Sequence, residues 1–293
     1  MLDEYTMRGQ MTDARPVSRW RIRVAVLIVC CYAALAASTQ FGANIAGQGA
    51  DPVWAAARAR GALRVATDFG YAPFTGTRNV GTGTEMRAEP FGYDIDLARA
   101  LAEKLGLAVQ FVPVSLESAY EALANDSADL VVSALPYAPE QGWRASFSTF
   151  YFNAGQVLVV RADSPLVTAD QLGAATVAVA LGSDADTFAR ALAARSPAVH
   201  VRASYDTPAQ ALDALRAHAV DAAIVDNAAA LTALNSTPGL RFVPPALTLE
   251  PYTIAVSNRA FLLRDQIDGA LDTLRKEGFF EANGRKWFVD ARP

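Results

Sequence analysis

From about residue 60 onward, apolar and polar positions switch between two periods. Leu63-Arg64-Val65-Ala66-Thr67 alternates in the manner of a strand. Leu97, Leu101 and Leu105 then recur at i, i+4 and i+8, which predicts a helix capped by Asp94 and stopped by Gly106. Val109–Val112 reads as a strand. Ser115–Ala124 reads as a helix with Ser115 as its cap and Glu117 in its first turn, where a negative charge suits the helix dipole. Asp129-Leu130-Val131-Val132 is a short apolar run of the kind buried in parallel sheets.

The same order returns further along. Asp94-Ile95-Asp96-Leu97-Ala98-Arg99 is echoed by Asp184-Ala185-Asp186-Thr187-Phe188-Ala189-Arg190. From Asp96 to Asp129 is 33 residues and from Asp186 to Asp221 is 35. The repeated succession of helix, strand, helix and buried strand argues for two similar α/β lobes. Gln156–Val160 reads as a strand leaving the first lobe and Tyr252–Val256 as one returning, followed by helices over Leu262–Lys276 and Phe279–Trp287. Two crossing strands make a hinge, and ligands in α/β folds sit where loops at the carboxyl ends of strands meet. The expected division is 55–157 with 251–293 as the first lobe and 158–250 as the second. Thr75–Pro90 is rich in Gly and Thr, lacks the spacing of a phosphate loop, and reads as an exposed hairpin or flap.

The beginning of the chain follows another rule. Arg15, Arg19, Arg21 and Arg23 precede an uncharged stretch of 14 residues, Val24–Ala37, too short to span a bilayer comfortably but suited to the apolar core of a signal peptide. Small residues at Ala34 and Ala36 suit cleavage. Residues 1–37 are therefore expected to be an export signal or anchor, and 38–54 a linker containing Gly42, Gly47, Gly49 and Pro52. Cys30 and Cys31 are the only cysteines and lie inside the apolar stretch, so the mature domain has no disulfide or thiolate chemistry. Lipidation of Cys30 is disfavoured because Leu27-Ile28-Val29 lacks a small residue beside it.

Composition changes this picture little. Apolar residues make up 52% and charged residues 19%, an ordinary globular balance. Net charge is −4, and without residues 1–37 the chain keeps 21 basic against 27 acidic residues. That excludes the basic footprint of a nucleic-acid binder.

Four stretches carry a resemblance. Leu63-Arg64-Val65-Ala66-Thr67-Asp68 with Tyr71-Ala72-Pro73-Phe74, Phe91-Gly92-Tyr93-Asp94-Ile95-Asp96-Leu97-Ala98, Tyr151-Phe152-Asn153-Ala154-Gly155-Gln156, and Val220–Asp226 stand in order, and Lys286-Trp287-Phe288 matches the habitual ending. Over about residues 55–289 the chain resembles bacterial extracytoplasmic solute-binding proteins for polar amino acids, the soluble receptors of ABC importers. The resemblance implies a two-lobed periplasmic-binding-protein-like fold of type II with two crossover hinge strands. It also implies a small-molecule ligand, the importer's membrane subunits as partners, a monomer, no cofactor and no catalysis.

The resemblance also nominates site residues, each with a plainer alternative. The aromatic matching Tyr71 stacks on the ligand; a Tyr half-buried at a loop base fits as well. Asp68 either accepts hydrogen bonds from the ligand or closes its own turn. The acid matching Asp226 receives the ligand's ammonium; otherwise Asp226 caps a helix starting near Asn227. Gly182-Ser183-Asp184 opens a helix, so Ser183 and Asp184 either border an anion rest or serve as ordinary caps. Leu116 and Ser133 complete the expected set with Gln141. At Gln141 the chain departs from the family, which has a small hydroxyl residue followed by T-P-E-R, the Arg clamping the ligand carboxylate. Here Ser133-Ala134-Leu135-Pro136-Tyr137-Ala138-Pro139-Glu140-Gln141 puts Gln for Arg and Pro136 for a donor. Trp143 and Arg144 lie close by in sequence. With three Asp among the candidates, an amine-bearing ligand is expected rather than an acidic one. Two other readings stand beside this: a membrane-anchored sensor or accessory protein of the same fold, and an enzyme. A few relatives are dehydratases of cyclic acids, but His200 and His218 sit in no catalytic motif.

Overall fold

The computed structural model describes residues 51–81 and 86–289. The expected export segment and most of the expected linker lie outside these residues. The linker boundary needs correction, because 51–54 belong to the fold. The Asp51 carboxylate accepts the Trp54 N–H at 2.7 Å and caps helix α1 (Pro52–Arg60), with Pro at the first helical position where its missing N–H costs nothing. Its other oxygen accepts the Leu263 N–H at 2.9 Å and ties α1 to the far end of the chain.

The first sheet is made of β1 (Ala62–Thr67), β4 (Ala108–Pro113), β5 (Leu130–Val131) and β6 (Ala145–Phe147), all running the same way, with β14 (Ala255–Ser257) antiparallel between β5 and β6, in the order β4-β1-β5-β14-β6. In the second sheet β9 (Thr176–Ala180), β10 (His200–Tyr205), β11 (Ala222–Asp226) and β12 (Leu240–Val243) run the same way and β8 (Gln156–Arg161) lies antiparallel between β11 and β12, in the order β10-β9-β11-β8-β12. The short β7 (Phe152–Asn153) and β13 (Pro251–Tyr252) pair with each other, and β2 (Gly76–Val80) with β3 (Arg87–Phe91) forms the expected hairpin.

The repeated order is present. Helix α2 (Tyr93–Lys104), β4, α3 (Ala119–Ala124) and β5 are matched by α4 (Asp184–Arg195), β10, α5 (Pro208–Arg216) and β11. Its hydrogen bonds repeat too. The Asp129 carboxylate accepts the Arg64 N–H at 2.8 Å, and the Asp221 carboxylate accepts the Thr176 N–H at 2.8 Å, each fastening one parallel strand to the next. Asp129 is fully buried and also pairs with Arg60 and Arg64, as a buried carboxylate requires.

Both faces of the second sheet are covered, as its continuous apolar strands demand. Val157, Val159, Ala223 and Val225 pack on one side; Leu158, Val160, Ala222 and Ile224 pack on the other. On the first sheet, Leu63 and Leu130 join Leu97 and Leu101 of α2 and residues of α7 (Phe261–Lys276) and α8 (Phe279–Trp287), the two expected terminal helices.

Three expectations are corrected. Asp94 does not cap α2. Gly92 holds that position at φ 131°, where a Cβ would meet the Phe74 carbonyl oxygen at 2.2 Å, so only glycine fits. Asp94 instead lies fully buried in the first turn. The Ser115–Ala124 helix starts as a 3₁₀ turn over Leu116–Ser118, with Ser115 and Ser118 hydroxyls 3.1 Å apart, before α3 begins. Gln156–Val160 is not a crossing strand but the start of β8 inside the second sheet. The crossing pair is β7 with β13, and 252–256 is divided where Thr253 N–H donates to the Leu135 carbonyl and Ile254 N–H to the Ser148 hydroxyl.

Candidate functional site

The carboxyl ends of the parallel strands bring most of the nominated residues together. Asp68 follows β1, Ser133 follows β5, Ser183 follows β9, and Asp226 ends β11. Two cavities lie at these ends. The first, about 350 Å³, is walled by Asp68, Tyr71, Leu116 and Ser133, all expected, together with Ala134, Pro136 and Tyr252. The second, about 110 Å³, is walled by Ser183, Asp184 and Asp226, all expected, together with Gln156, Ala180 and Pro208. A hollow of about 470 Å³ elsewhere, between α6 (Asn227–Ser236) and α8, has mainly aromatic and apolar walls and none of the nominated residues.

In the first cavity Tyr71 is 52% exposed and stacks on Phe74 at 5.5 Å between ring centres, with 8° between the planes. Tyr252 meets the same Phe74 edge-on at 5.4 Å. Burial pushes the Tyr252 hydroxyl well above its ordinary pKa. A hydrogen bond with Tyr71 and the charges of Asp94 and Asp226 add to the rise, so it stays protonated. The Asp68 carboxylate accepts the Gly70 N–H at 2.9 Å and the Leu116 N–H at 3.3 Å, and the Asp68 N–H donates to the Ser133 hydroxyl at 3.0 Å. The turn-closing role of Asp68 is therefore real, and its charge remains at the wall.

Beneath this wall lies Asp94. Its carboxylate accepts the Ala134 N–H and, at 3.1 Å, the Tyr151 hydroxyl, while its second oxygen has no partner. Burial pushes the carboxyl up to about 7, against the opposing pull of those two donors. The bond to Ala134 holds that residue at φ 45° on the cavity floor, a conformation that L side chains seldom adopt.

In the second cavity the capping roles are occupied. The Ser183 hydroxyl donates to the Ala180 carbonyl at 2.7 Å and accepts the Asp186 N–H at 3.2 Å. Asp226 caps α6 by accepting the Ala229 N–H at 2.8 Å. Gln156 pairs with Asp226 across β8 and β11, is 5% exposed, and leaves its side-chain carbonyl oxygen without a partner. The charge of Asp226 reaches Tyr252 of the first cavity, which links the two walls electrostatically.

Gln141 lines neither cavity. It ends a 3₁₀ turn, Pro139–Gln141. Arg144 stacks over Tyr120 at 5.1 Å and Trp143 at 5.5 Å. Neither supplies the missing clamp. Among the residues walling both cavities there are three Asp and no Lys, Arg or His. Sequence reasoning missed Tyr252 and Gln156 as site residues. Gln156 did leave a signal, as a lone polar residue opening the apolar run Val157–Val160.

The model of the bacterial extracellular solute-binding proteins, family 3, matches residues 63–290. The chain belongs to that family. It is 26% identical over 219 residues to the ABC transporter glutamine-binding protein of Bacillus subtilis, covering 74% of this chain and 79% of that protein. Among solved structures, an ancestral cationic amino acid solute-binding protein is 29% identical with a TM-score of 0.55, covering 78% of this chain and 96% of that one. An ancestral cyclohexadienyl dehydratase shares the fold at 23% identity and a TM-score of 0.64, covering 82% of this chain and 97% of that one. The type II periplasmic-binding fold expected of this family member is present. Among the described residues no helix is long and apolar enough to cross a membrane.

Proposed function

We propose that the chain is the extracytoplasmic solute-binding protein of an ABC importer, capturing a small polar, amine-bearing solute between two lobes and delivering it to the importer's membrane subunits. The observation that carries this is the composition of the paired cavities: three carboxylates, two tyrosines and no cation, at the carboxyl ends of parallel strands on both sides of a hinge. One lobe is built on the first sheet and the other on the second, which begins with β8 at Gln156; the short pair β7 and β13 joins them. On this reading the protein acts as a monomer and releases its solute unchanged, as a binding protein does.

Closure is the test. A thermal-shift screen of amino acids, amines and small acids identifies a binder, and small-angle scattering then compares the free and saturated protein. The radius of gyration should fall as the second lobe swings onto the first. A screen without a hit, or an unchanged radius at saturation, refutes the reading.

A further inference from the structure

The missing clamp raises a question about the solute itself: whether anything at this site holds a carboxylate. We infer that nothing does, and that the solute is an organic cation without a carboxylate. The class is small alkyl-amines and guanidino-amines, the decarboxylated counterparts of basic amino acids. This rests on the solute-binding reading above and narrows it.

A buried carboxylate needs a cation or several converging N–H donors. No Lys, Arg or His walls either cavity. Four backbone donors of the first wall are committed inward: those of Gly70 and Leu116 to the Asp68 carboxylate, that of Asp68 to Ser133, that of Ala134 to Asp94. Pro136 has no N–H to give. On the second wall the N-terminus of α4 is the remaining source of donors. Its Gly182 N–H already donates to the Asp186 carboxylate at 3.1 Å, and the open N–H groups of Asp184 and Ala185 sit beside the Asp184 and Asp186 carboxylates, whose charge opposes a second anion there.

The acceptors point the other way. The carboxylates of Asp68, Asp184 and Asp226 wall the site, and the Gln156 carbonyl oxygen, in a side chain almost wholly buried, has no donor at all. An acceptor left unmade inside a protein is costly, and a ligand N–H supplies its partner. The faces of Tyr71 and Tyr252 complete a surface suited to a cation.

Titration calorimetry on the purified full chain compares agmatine with arginine and cadaverine with lysine, with glutamine as a neutral reference. Each amine should bind at least about 10-fold more tightly than its amino acid, the effect of one unpaired buried charge or more. Gln156→Leu should weaken agmatine by about 10-fold while urea unfolding checks its fold. Arginine or lysine binding as tightly as its amine overturns the inference. Glutamine binding without either amine overturns it too, and leaves solute binding intact. If none of the five binds, the solute-binding reading falls with it.

Discussion

Asp94 offers the sharpest physical test of the site's foundation. Its carboxyl is fully buried, keeps one oxygen unpartnered, and is pushed up to about 7 by that burial. In the unfolded chain the same group titrates near 3.9. A carboxyl raised on folding gives stability that is complete below the unfolded value and is lost as pH rises through the folded one. Between pH 5 and pH 8 the loss attributable to Asp94 is about 2.5 kcal/mol by linkage. Asp186 does not mask it. Burial raises that group, but the Gly182 N–H and Arg190 outweigh burial and hold it below its ordinary value, so it acts only in more acid solution. Urea unfolding of the wild type at pH 5, 6, 7 and 8 should show the fall. Asp94→Asn keeps an oxygen for the Ala134 and Tyr151 donors but cannot titrate, so its profile should lack that component. A variant falling as steeply as the wild type would show that Asp94 is ionised throughout.

At the second wall, Asp226→Ala should weaken any bound amine by about 2–5 kcal/mol, the range for removing one member of a desolvated charge pair. Asp226→Asn preserves the cap of α6 and should lose the amine without losing stability, whereas calorimetry finding the amine indifferent to either change would mean the charge faces elsewhere. Expressed in a bacterium, the chain should appear in the extracytoplasmic fraction with its N-terminus near Ala37. Full-length chain soluble in the cytoplasm contradicts that.

Elements longer than about five residues were legible because each buries one face against a sheet and so carries a period. Leu97, Leu101 and Leu105 announced α2, and the apolar run within Gln156–Val160 announced a strand, though not which sheet it joins. The connecting strands β7 and β13 have two residues each, too few for any period, so the crossing point could only be placed from the pairing itself. Asp94 looked like a cap because its sequence neighbourhood is that of a cap. What moved it inside is the approach of the Phe74 backbone to Gly92, a contact between segments that no local pattern encodes. Asp68, Tyr71, Ser133 and Asp226, which wall the cavities, were nominated through the family's motifs at strand ends. Tyr252 was not, since it comes from the returning chain and is set against Tyr71, Phe74 and Pro136 by contacts distant in sequence.

That shared contact has a consequence for selectivity. Phe74 is 1% exposed and lies edge-on to Tyr93, Phe152 and Phe288 in the core. Tyr71 and Tyr252, which wall the first cavity, also pack on it. Their rotamers are thus set before any solute arrives, and little side-chain freedom remains to be lost on binding. The first wall behaves as a die of fixed shape. A solute that did not match the two rings would find no alternative arrangement there, so adaptation to a different solute would have to come from substitutions on the second wall.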